Sequence, residues 1–137
     1  MKINIILSPS QQKANKCAMG DSEADHCRVI AEKTAELLRG YDCNVFLVPA
    51  VDGTESEVLT KVVNSSNYFV KTNKADYSYH LDIHTDAGYN GKGSSGFYYS
   101  EGGRAFIMRV QSEISKITPW DDAGISLRDL YVLHHTT

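Results

Sequence analysis

The sequence lacks several features that would place it in a specialised class of proteins. Its three cysteines, too few and of the wrong parity for a disulfide framework, are expected to be reduced and mostly structural. It has no basic run, and its net charge is −3, which argues against a nucleic-acid partner. The apolar run at residues 3–7 is too short for a signal-peptide core or a membrane span. We therefore expect a protein made in the cytoplasm without a signal peptide.

What remains is the composition of an ordinary globular protein. Apolar residues make up 42% of the chain and charged residues 23%, which is enough apolar material for a buried core. A length of 137 residues suits one domain, and no repeat or low-complexity tract divides it. We predict a single domain over residues 1–137.

Short apolar runs alternate along the chain with segments of helical periodicity. The runs predict strands at residues 2–7, 45–48, 79–83, 97–99 and 130–133. The periodic segments predict helices at residues 22–40 and 55–72, and a third around residues 106–117. This alternation indicates an α/β fold, a mixed and mostly parallel sheet of about five to six strands with helices on both faces. In such sheets ligands bind beyond the carboxyl ends of the strands.

The first patch with chemical potential lies at the start of the first predicted helix. Ser22 and Asp25 resemble a capping box there. Glu23 and His26 each precede an apolar position of the helix by four residues, so we expect both on the buried face. Their spacing lets a carboxylate and an imidazole converge on one ion. The alternative is a glutamate favoured by the helix dipole beside a hydrogen-bonded core histidine.

The second patch lies at the end of the third predicted strand. His80, Asp82 and His84 share one face of this strand because side chains alternate. His80 and His84 would lie about 13 Å apart, so they cannot bind the same ion. His84, at the carboxyl end, is the better ligand candidate, and His80 is expected to be a hydrogen-bonded structural residue. Asp82 could orient a ligand or could be an ordinary hydrogen-bonded strand residue.

Together the two patches have the composition of a catalytic zinc site. Such a site combines three histidine or carboxylate ligands with one open position. Zinc lowers the pKa of its bound water to about 7 and polarises a carbonyl, and a general base then takes the proton. No residue fills the role of base obviously. A structural zinc site that uses Cys17 or Cys27 is an alternative, disfavoured because the chain has no C-x-x-C pair. A cysteine nucleophile paired with His26 or His84 is a further alternative, equally disfavoured.

The order of these patches resembles the zinc-dependent N-acetylmuramoyl-L-alanine amidases of the type 3 family, found in autolysins and phage endolysins. The resemblance covers nearly the whole chain. It rests on Glu23-Ala24-Asp25, on Asp82-Ile83-His84-Thr85-Asp86-Ala87 (similar to the family's Ser-Ile-His-Ala-Asn-Ala), on Gly96-Phe97-Tyr98-Tyr99, and on Leu127-Arg128 with the following Leu-Tyr-Val-Leu. It implies that Glu23 and His84 are two of three zinc ligands. The implied reaction is hydrolysis of the amide between N-acetylmuramic acid and L-alanine.

Two departures from the family pattern matter. Typical members carry a zinc-binding histidine after the first strand, where this chain reads Ser8-Pro9-Ser10. Resemblance to a branch with Ser-Pro-Ser implies His26 as the replacement, the alternative being an atypical or empty site. The chain also ends before the family's catalytic glutamate, so we expect the last strand and helix of the family to be missing. His134 or His135 is a less favoured substitute, and a missing strand would expose a sheet edge to self-association.

These observations predict a peptidoglycan amidase domain with zinc held by Glu23, His26 and His84. The supporting or substrate-binding residues would be Asp82, Asp86 and Arg128, with the glycan-peptide beside residues 88–96. Absence of an export signal favours an endolysin that reaches the cell wall after release. Two alternatives stay open. One is an inactive module that binds zinc or muropeptide; the other is a zinc exopeptidase or deacylase with a second metal at Asp82 and Asp86.

Overall fold

The computed structural model describes residues 1–17, 20–85 and 93–136. The chain divides into two compact units. The N-terminal unit comprises residues 1–87 with residues 135–137, and the C-terminal unit comprises residues 88–134. Among the described residues, no helix has both the length and the apolar character that crossing a membrane requires.

The N-terminal unit is built on a three-stranded parallel sheet. Its elements are β1 (Ile3–Pro9), α1 (Glu23–Leu38), β2 (Cys43–Leu47), α2 (Glu55–Thr72) and β3 (Tyr77–Ile83). The strand order is β2-β1-β3, so β1 lies in the centre and is buried along most of its length. Because all three strands run in the same direction, their carboxyl ends share one edge of the sheet.

The two long helices of this unit cover opposite faces of the sheet. On one face, Leu7 packs with Ala31 and Ala35 of α1 in the buried core. On the other face, Phe46 stacks on Phe69 of α2, with 4.9 Å between ring centroids. Leu7 is the register partner of Leu47, the residue that follows Phe46. Because successive side chains of a strand point to opposite faces, Leu7 and Phe46 lie on opposite faces of the sheet. The prediction of helices on both faces is confirmed for this sheet.

The C-terminal unit contains a second, smaller parallel sheet. Its strands are β4 (Gly93–Tyr98) and β5 (Asp121–Leu127), which flank α3 (Glu101–Ile117). The short helix α4 follows at Tyr131–His135. Helix α3 approaches β4 so closely at Gly96 that an added Cβ would lie 2.5 Å from the Ile107 side chain. Only glycine fits at this crossing of helix and strand.

The α/β class is confirmed, with five strands in parallel sheets and four helices among the described residues. The five strands of the described residues do not form one continuous sheet. They form a three-stranded sheet and a separate two-stranded sheet. The predicted strand at residues 130–133 is wrong, because those residues mostly belong to α4. A short apolar run does not distinguish a strand from a helix. β5 was missed because Asp121, Asp122 and Gly124 are residues that strands disfavour.

Helix capping also differs from the expectation. Ser22 is the N-cap of α1, but its side chain makes no capping hydrogen bond, so the predicted capping box is wrong. A capping box occurs instead at α2, where the Glu57 amide donates to the Thr54 hydroxyl and the Thr54 amide donates to the Glu57 carboxylate. The bounds of α2 are those that the sequence predicts.

Candidate active site

Glu23 is a buried carboxylate at the first position of α1. Only 4% of its side-chain surface is exposed. The Asn15 side-chain amide donates to Glu23 Oε2 at 3.0 Å, and the Thr85 backbone amide donates to Glu23 Oε1 at 3.3 Å. The positive end of the helix dipole favours a negative charge at this position. A carboxylate is therefore fixed at the carboxyl edge of the sheet by two loops and a helix.

His84 lies directly after β3 and contacts carboxylates on both sides of its ring. Its Nδ1 is 2.9 Å from Glu23 Oε1, and its Nε2 is 3.1 Å from Asp82 Oδ2. The side chain is 47% exposed, so one side of the ring faces solvent. The two sequence patches meet here, a helix-start glutamate against a strand-end histidine.

These carboxylates change the proton affinity of His84. The hydrogen bond to Asp82 is the largest effect, and with the charges of Asp82 and Glu23 it outweighs partial burial and raises the pKa of His84 to about 9. At neutral pH the metal-free ring therefore carries both protons. A metal ion that binds this ring must displace one of them.

Asp82 is itself anchored by β1. Ser8 Oγ donates to Asp82 Oδ1 at 2.7 Å, and these two residues are direct partners in the parallel register. Burial alone would raise the pKa of the Asp82 carboxyl, but hydrogen bonds from His84 and Ser8 hold that pKa below its ordinary value. Asp82 is thus a charged residue held between a serine and an imidazole.

His26 does not lie where the sequence places it. The buried residues of α1 include Glu23, Cys27, Ala31 and Ala35, a stripe with four-residue spacing, and His26 is exposed beside it. The expectation that His26 is buried is wrong. No group of three histidine, cysteine, aspartate or glutamate side chains able to hold a metal ion occurs within residues 1–17, 20–85 and 93–136. Of the three predicted metal ligands, Glu23 and His84 are in direct contact with each other.

The remaining predicted site residues are Asp86 and Arg128, together with the segment at residues 88–96. Asp86 and residues 88–92 lie outside the described residues. Arg128 belongs to the C-terminal unit, where its guanidinium lies 5.4 Å from the centroid of the Phe97 ring. In the same unit His134 stacks on Tyr99 and contacts Asp129. A role for Arg128 in binding substrate stays a prediction.

His80 and the cysteines have local environments that bear on their roles. In the part of the chain that the structure describes, neither ring nitrogen of His80 has a hydrogen-bond partner, so the expected hydrogen bond is absent. Burial lowers the pKa of His80. Burial, followed by the charge of Glu23, raises the pKa of Cys27 to about 11. Cys27 is therefore a neutral thiol at pH 7, which disfavours it as nucleophile or ligand.

Sequence reasoning missed two supporting residues, Ser8 and Asn15. Ser8 lies one residue beyond the predicted strand at residues 2–7, and its hydrogen-bond partner Asp82 is 74 positions away in the sequence. The sequence indicates only that both residues lie at the ends of predicted strands, and their pairing depends on the register of β1 and β3. Asn15 lies in a polar loop for which the sequence offers no such signal.

The pair Glu23 and His84 fits part of a zinc site. A carboxylate oxygen and an imidazole nitrogen are both zinc donors, and two ligands of a tetrahedral zinc ion lie about 3.3 Å apart for bonds of roughly 2.0 to 2.1 Å. The observed 2.9 Å between Glu23 Oε1 and His84 Nδ1 is close to that separation. The described residues do not assemble a third ligand. The molecule is thus an α/β protein in which a glutamate and a histidine meet at the carboxyl edge of a parallel sheet.

Comparison with known families agrees with this class. The model of the N-acetylmuramoyl-L-alanine amidase family (Amidase_3) matches residues 5–137. The chain belongs to this family of enzymes. A search of curated proteins finds no match.

Solved structures of amidase domains share the fold. The catalytic domain of CwlV, an N-acetylmuramoyl-L-alanine amidase from Bacillus (Paenibacillus) polymyxa var. colistinus, is 20% identical with a TM-score of 0.76, covering 100% of this chain and 75% of that one. AmiC2 of Nostoc punctiforme is 17% identical with a TM-score of 0.75, covering 98% and 74%. The catalytic domain of the CD27L endolysin targeting Clostridia difficile is 22% identical with a TM-score of 0.73, covering 100% and 76%.

Proposed function

We propose that this protein hydrolyses the amide between N-acetylmuramic acid and L-alanine in peptidoglycan, and that it does so with zinc. The observation that carries the proposal is the contact between Glu23 and His84 at the carboxyl edge of the sheet, in a chain of the amidase family. Both residues stand at the positions where the resemblance places zinc ligands. The edge is also where α/β folds bind their substrates.

In this proposal Glu23 and His84 hold the ion, and His26 supplies the third ligand. His26 follows Glu23 by one helical turn, and its imidazole is exposed at the start of α1. When bound, zinc would polarise the scissile carbonyl and make water a better nucleophile near neutral pH.

The chain's own residues prepare the site for such an ion. The carboxylate of Glu23 is held by the side-chain amide of Asn15 and the backbone amide of Thr85, so its position is set before any ligand arrives. Asp82 holds the imidazole of His84 from the opposite side. No described residue is assigned as general base, and that role stays open.

A second candidate is a module that binds zinc or muropeptide without turnover. It is favoured by one observation, that the described residues do not assemble three metal ligands. The two candidates share the binding site and differ in whether the substrate amide is broken. A zinc exopeptidase with a second metal at Asp82 is not supported, since Asp82 is engaged by Ser8 and His84.

The substrate implies where the protein acts. We propose action on the bacterial cell wall after release from the cell that makes it, as for an endolysin. Self-association through a sheet edge stays a prediction, tested by sedimentation of the purified chain.

Metal analysis of purified variants tests the ligand set. Glu23→Gln and His84→Ala should abolish stoichiometric zinc, and His26→Ala should lower it, because each removes one donor. Glu32→Gln is the matched control, a change of the same chemistry at an exposed position of α1, and should keep the zinc. Full zinc in Glu23→Gln would contradict the assignment.

A wall-digestion assay then separates the two candidates. Purified peptidoglycan is incubated with zinc-loaded protein, and new N-terminal L-alanine is measured by dinitrophenylation. Release of alanine that Glu23→Gln abolishes supports the amidase. Zinc binding and wall association without new N-termini support the inactive module.

A further inference from the structure

Asn15 contacts Glu23 through both its backbone and its side chain. The Glu23 backbone amide donates to the Asn15 carbonyl at 3.0 Å, and the Asn15 side-chain amide donates to Glu23 Oε2 at 3.0 Å. Asn15 lies eight positions before Glu23, in the loop between β1 and α1. One loop residue therefore holds both the backbone and the carboxylate of the glutamate that begins the helix.

The backbone contact serves the start of α1. The first amides of a helix have no acceptor within the helix itself. The side chain of Ser22, the N-cap, makes no capping hydrogen bond, and the Asn15 carbonyl accepts the Glu23 amide instead. A substitution at Asn15 keeps this carbonyl. Such a variant therefore removes the contact with the carboxylate and leaves the acceptor for the helix in place.

The side-chain contact gives the two oxygens of Glu23 different neighbours. Oε2 faces the Asn15 amide, whereas Oε1 lies 2.9 Å from His84 Nδ1. Oε1 also accepts the Thr85 backbone amide at 3.3 Å. This division does not depend on where any proton lies, because it follows from the positions of the heavy atoms. Oε1 is the oxygen on the side of His84.

Gln12 gives the Asn15 amide a second fixed partner. A side-chain amide nitrogen carries two hydrogens and can donate twice. Asn15 Nδ2 donates to Gln12 Oε1 as well as to Glu23 Oε2. Both hydrogens are used, so the amide has one orientation, between the glutamine and the glutamate.

We infer that Asn15 is a positioning residue, which occupies Oε2 of Glu23 and leaves Oε1, beside His84, for a metal ion. Metal-binding carboxylates are commonly hydrogen-bonded by a partner that sets their orientation and contributes to affinity. Without Asn15, the carboxylate of Glu23 could rotate about its last side-chain bond. The inference rests on the proposed function for the presence of an ion, but not for the orientation of the carboxylate.

The first test uses metal-free protein and reads the contact between Asn15 and Glu23. Protein labelled with 15N-asparagine is prepared, and the Asn15 side-chain signals are assigned by their loss in Asn15→Leu. Both amide protons should exchange with water more slowly than those of the exposed Asn64, an internal reference in the same sample. In Gln12→Ala one proton, the one that faces Glu23, should stay protected. Two unprotected protons in that variant would overturn the inference.

The second test adds cadmium as a substitute for zinc. The protected amide proton of Asn15 in Gln12→Ala should remain protected when the ion binds, because the ion takes the other oxygen of Glu23. Loss of its protection on loading would overturn the inference. Protection in metal-free protein without any cadmium binding would support the orientation of Glu23 and count against the zinc proposal, so the two failures are distinguishable.

The third test measures zinc affinity against a matched control. Asn15→Leu should weaken it about 10- to 100-fold, a range typical for a lost outer partner of a ligand. Asn73→Leu is the same change in the same unit, at an asparagine whose side-chain amide donates to the Phe69 carbonyl at 3.0 Å at the end of α2. It should leave the affinity unchanged. Equal losses in the two variants would show a general effect on stability and would overturn the role of Asn15.

Discussion

The central strand of the N-terminal unit is almost fully buried, whereas in the two-stranded sheet of the C-terminal unit Gly96 is the one buried strand residue among those described. The first sheet has helices packed on both faces, and the second has α3 on one of them. A buried carboxylate such as Glu23 needs fixed partners to compensate it. The proposed site accordingly lies at the edge of the sheet whose central strand is buried.

A buried polar side chain links the helix of the C-terminal unit to both strands of the smaller sheet. Gln111 of α3 is buried, and its side-chain amide donates to the Ser94 carbonyl at 2.6 Å and to Asp122 Oδ1 at 2.9 Å. One residue thus joins the helix to both strands. The hydrogen bond from Gln111 also lowers the pKa of Asp122.

The largest difference between the units should come from apolar truncation. Leu7→Ala is expected to lower the free energy of unfolding by about 2 to 5 kcal/mol, because it leaves a cavity in a fully buried site. Leu127→Ala in β5, where the side chain is exposed, should change it by less than about 0.5 kcal/mol. Urea unfolding of both variants measures this, and equal losses would contradict the comparison.

Loss of Gln111 should damage the C-terminal unit selectively. Gln111→Ala is expected to cost about 0.5 to 1.5 kcal/mol, because it removes the hydrogen bonds that the buried Gln111 side chain donates to the half-buried Ser94 of β4 and the exposed Asp122 of β5. Hydrogen exchange should show loss of protection in β4 and β5. Protection of β1 is the internal control, and an equal loss there would mean that the two units unfold together.

The N-caps of α1 and α3 provide a smaller contrast. Ser100 Oγ accepts the Gly103 amide at 3.1 Å, whereas Ser22 makes no capping hydrogen bond. Ser100→Ala should therefore cost about 1 kcal/mol, and Ser22→Ala only a few tenths. Thermal unfolding of the two variants measures both losses of stability. A larger loss in Ser22→Ala than in Ser100→Ala would contradict this expectation.

The smallest effect should be the pH dependence that His84 gives to the metal-free N-terminal unit, because the exposed half of its ring weakens its ion pairs. Its pKa of about 9 in the folded state exceeds the ordinary 6.5. The stabilisation is therefore complete below pH 6.5 and is lost as pH rises through about 9.

This loss is measured in the presence of a chelator. The stability difference between the unmodified protein and His84→Gln should shrink from pH 6.5 to pH 9. A difference that grows with pH would show that His84 is not the charged partner of Asp82 and Glu23.

Much of the local structure could be predicted from the sequence. The bounds of α2, the strand before His84 and the helix that begins at Glu23 follow from apolar periodicity, which is a local property. β5 could not be predicted, since Asp121, Asp122 and Gly124 form a strand only because β4 lies beside them. Gly124 there has a φ of +80°, and the pairing shifts register between Ser94 and Gly96.

By itself the sequence determined the chemistry available at the carboxyl edge, a glutamate that begins a helix and a histidine that ends a strand. Only the tertiary structure decided that Ser8 anchors Asp82, that Asn15 reaches Glu23, and that His26 lies outside the buried stripe. Periodicity reports which face a residue occupies within its own element. Partners across a sheet depend on the register between strands that are distant in sequence, and that register is set by packing of the whole unit.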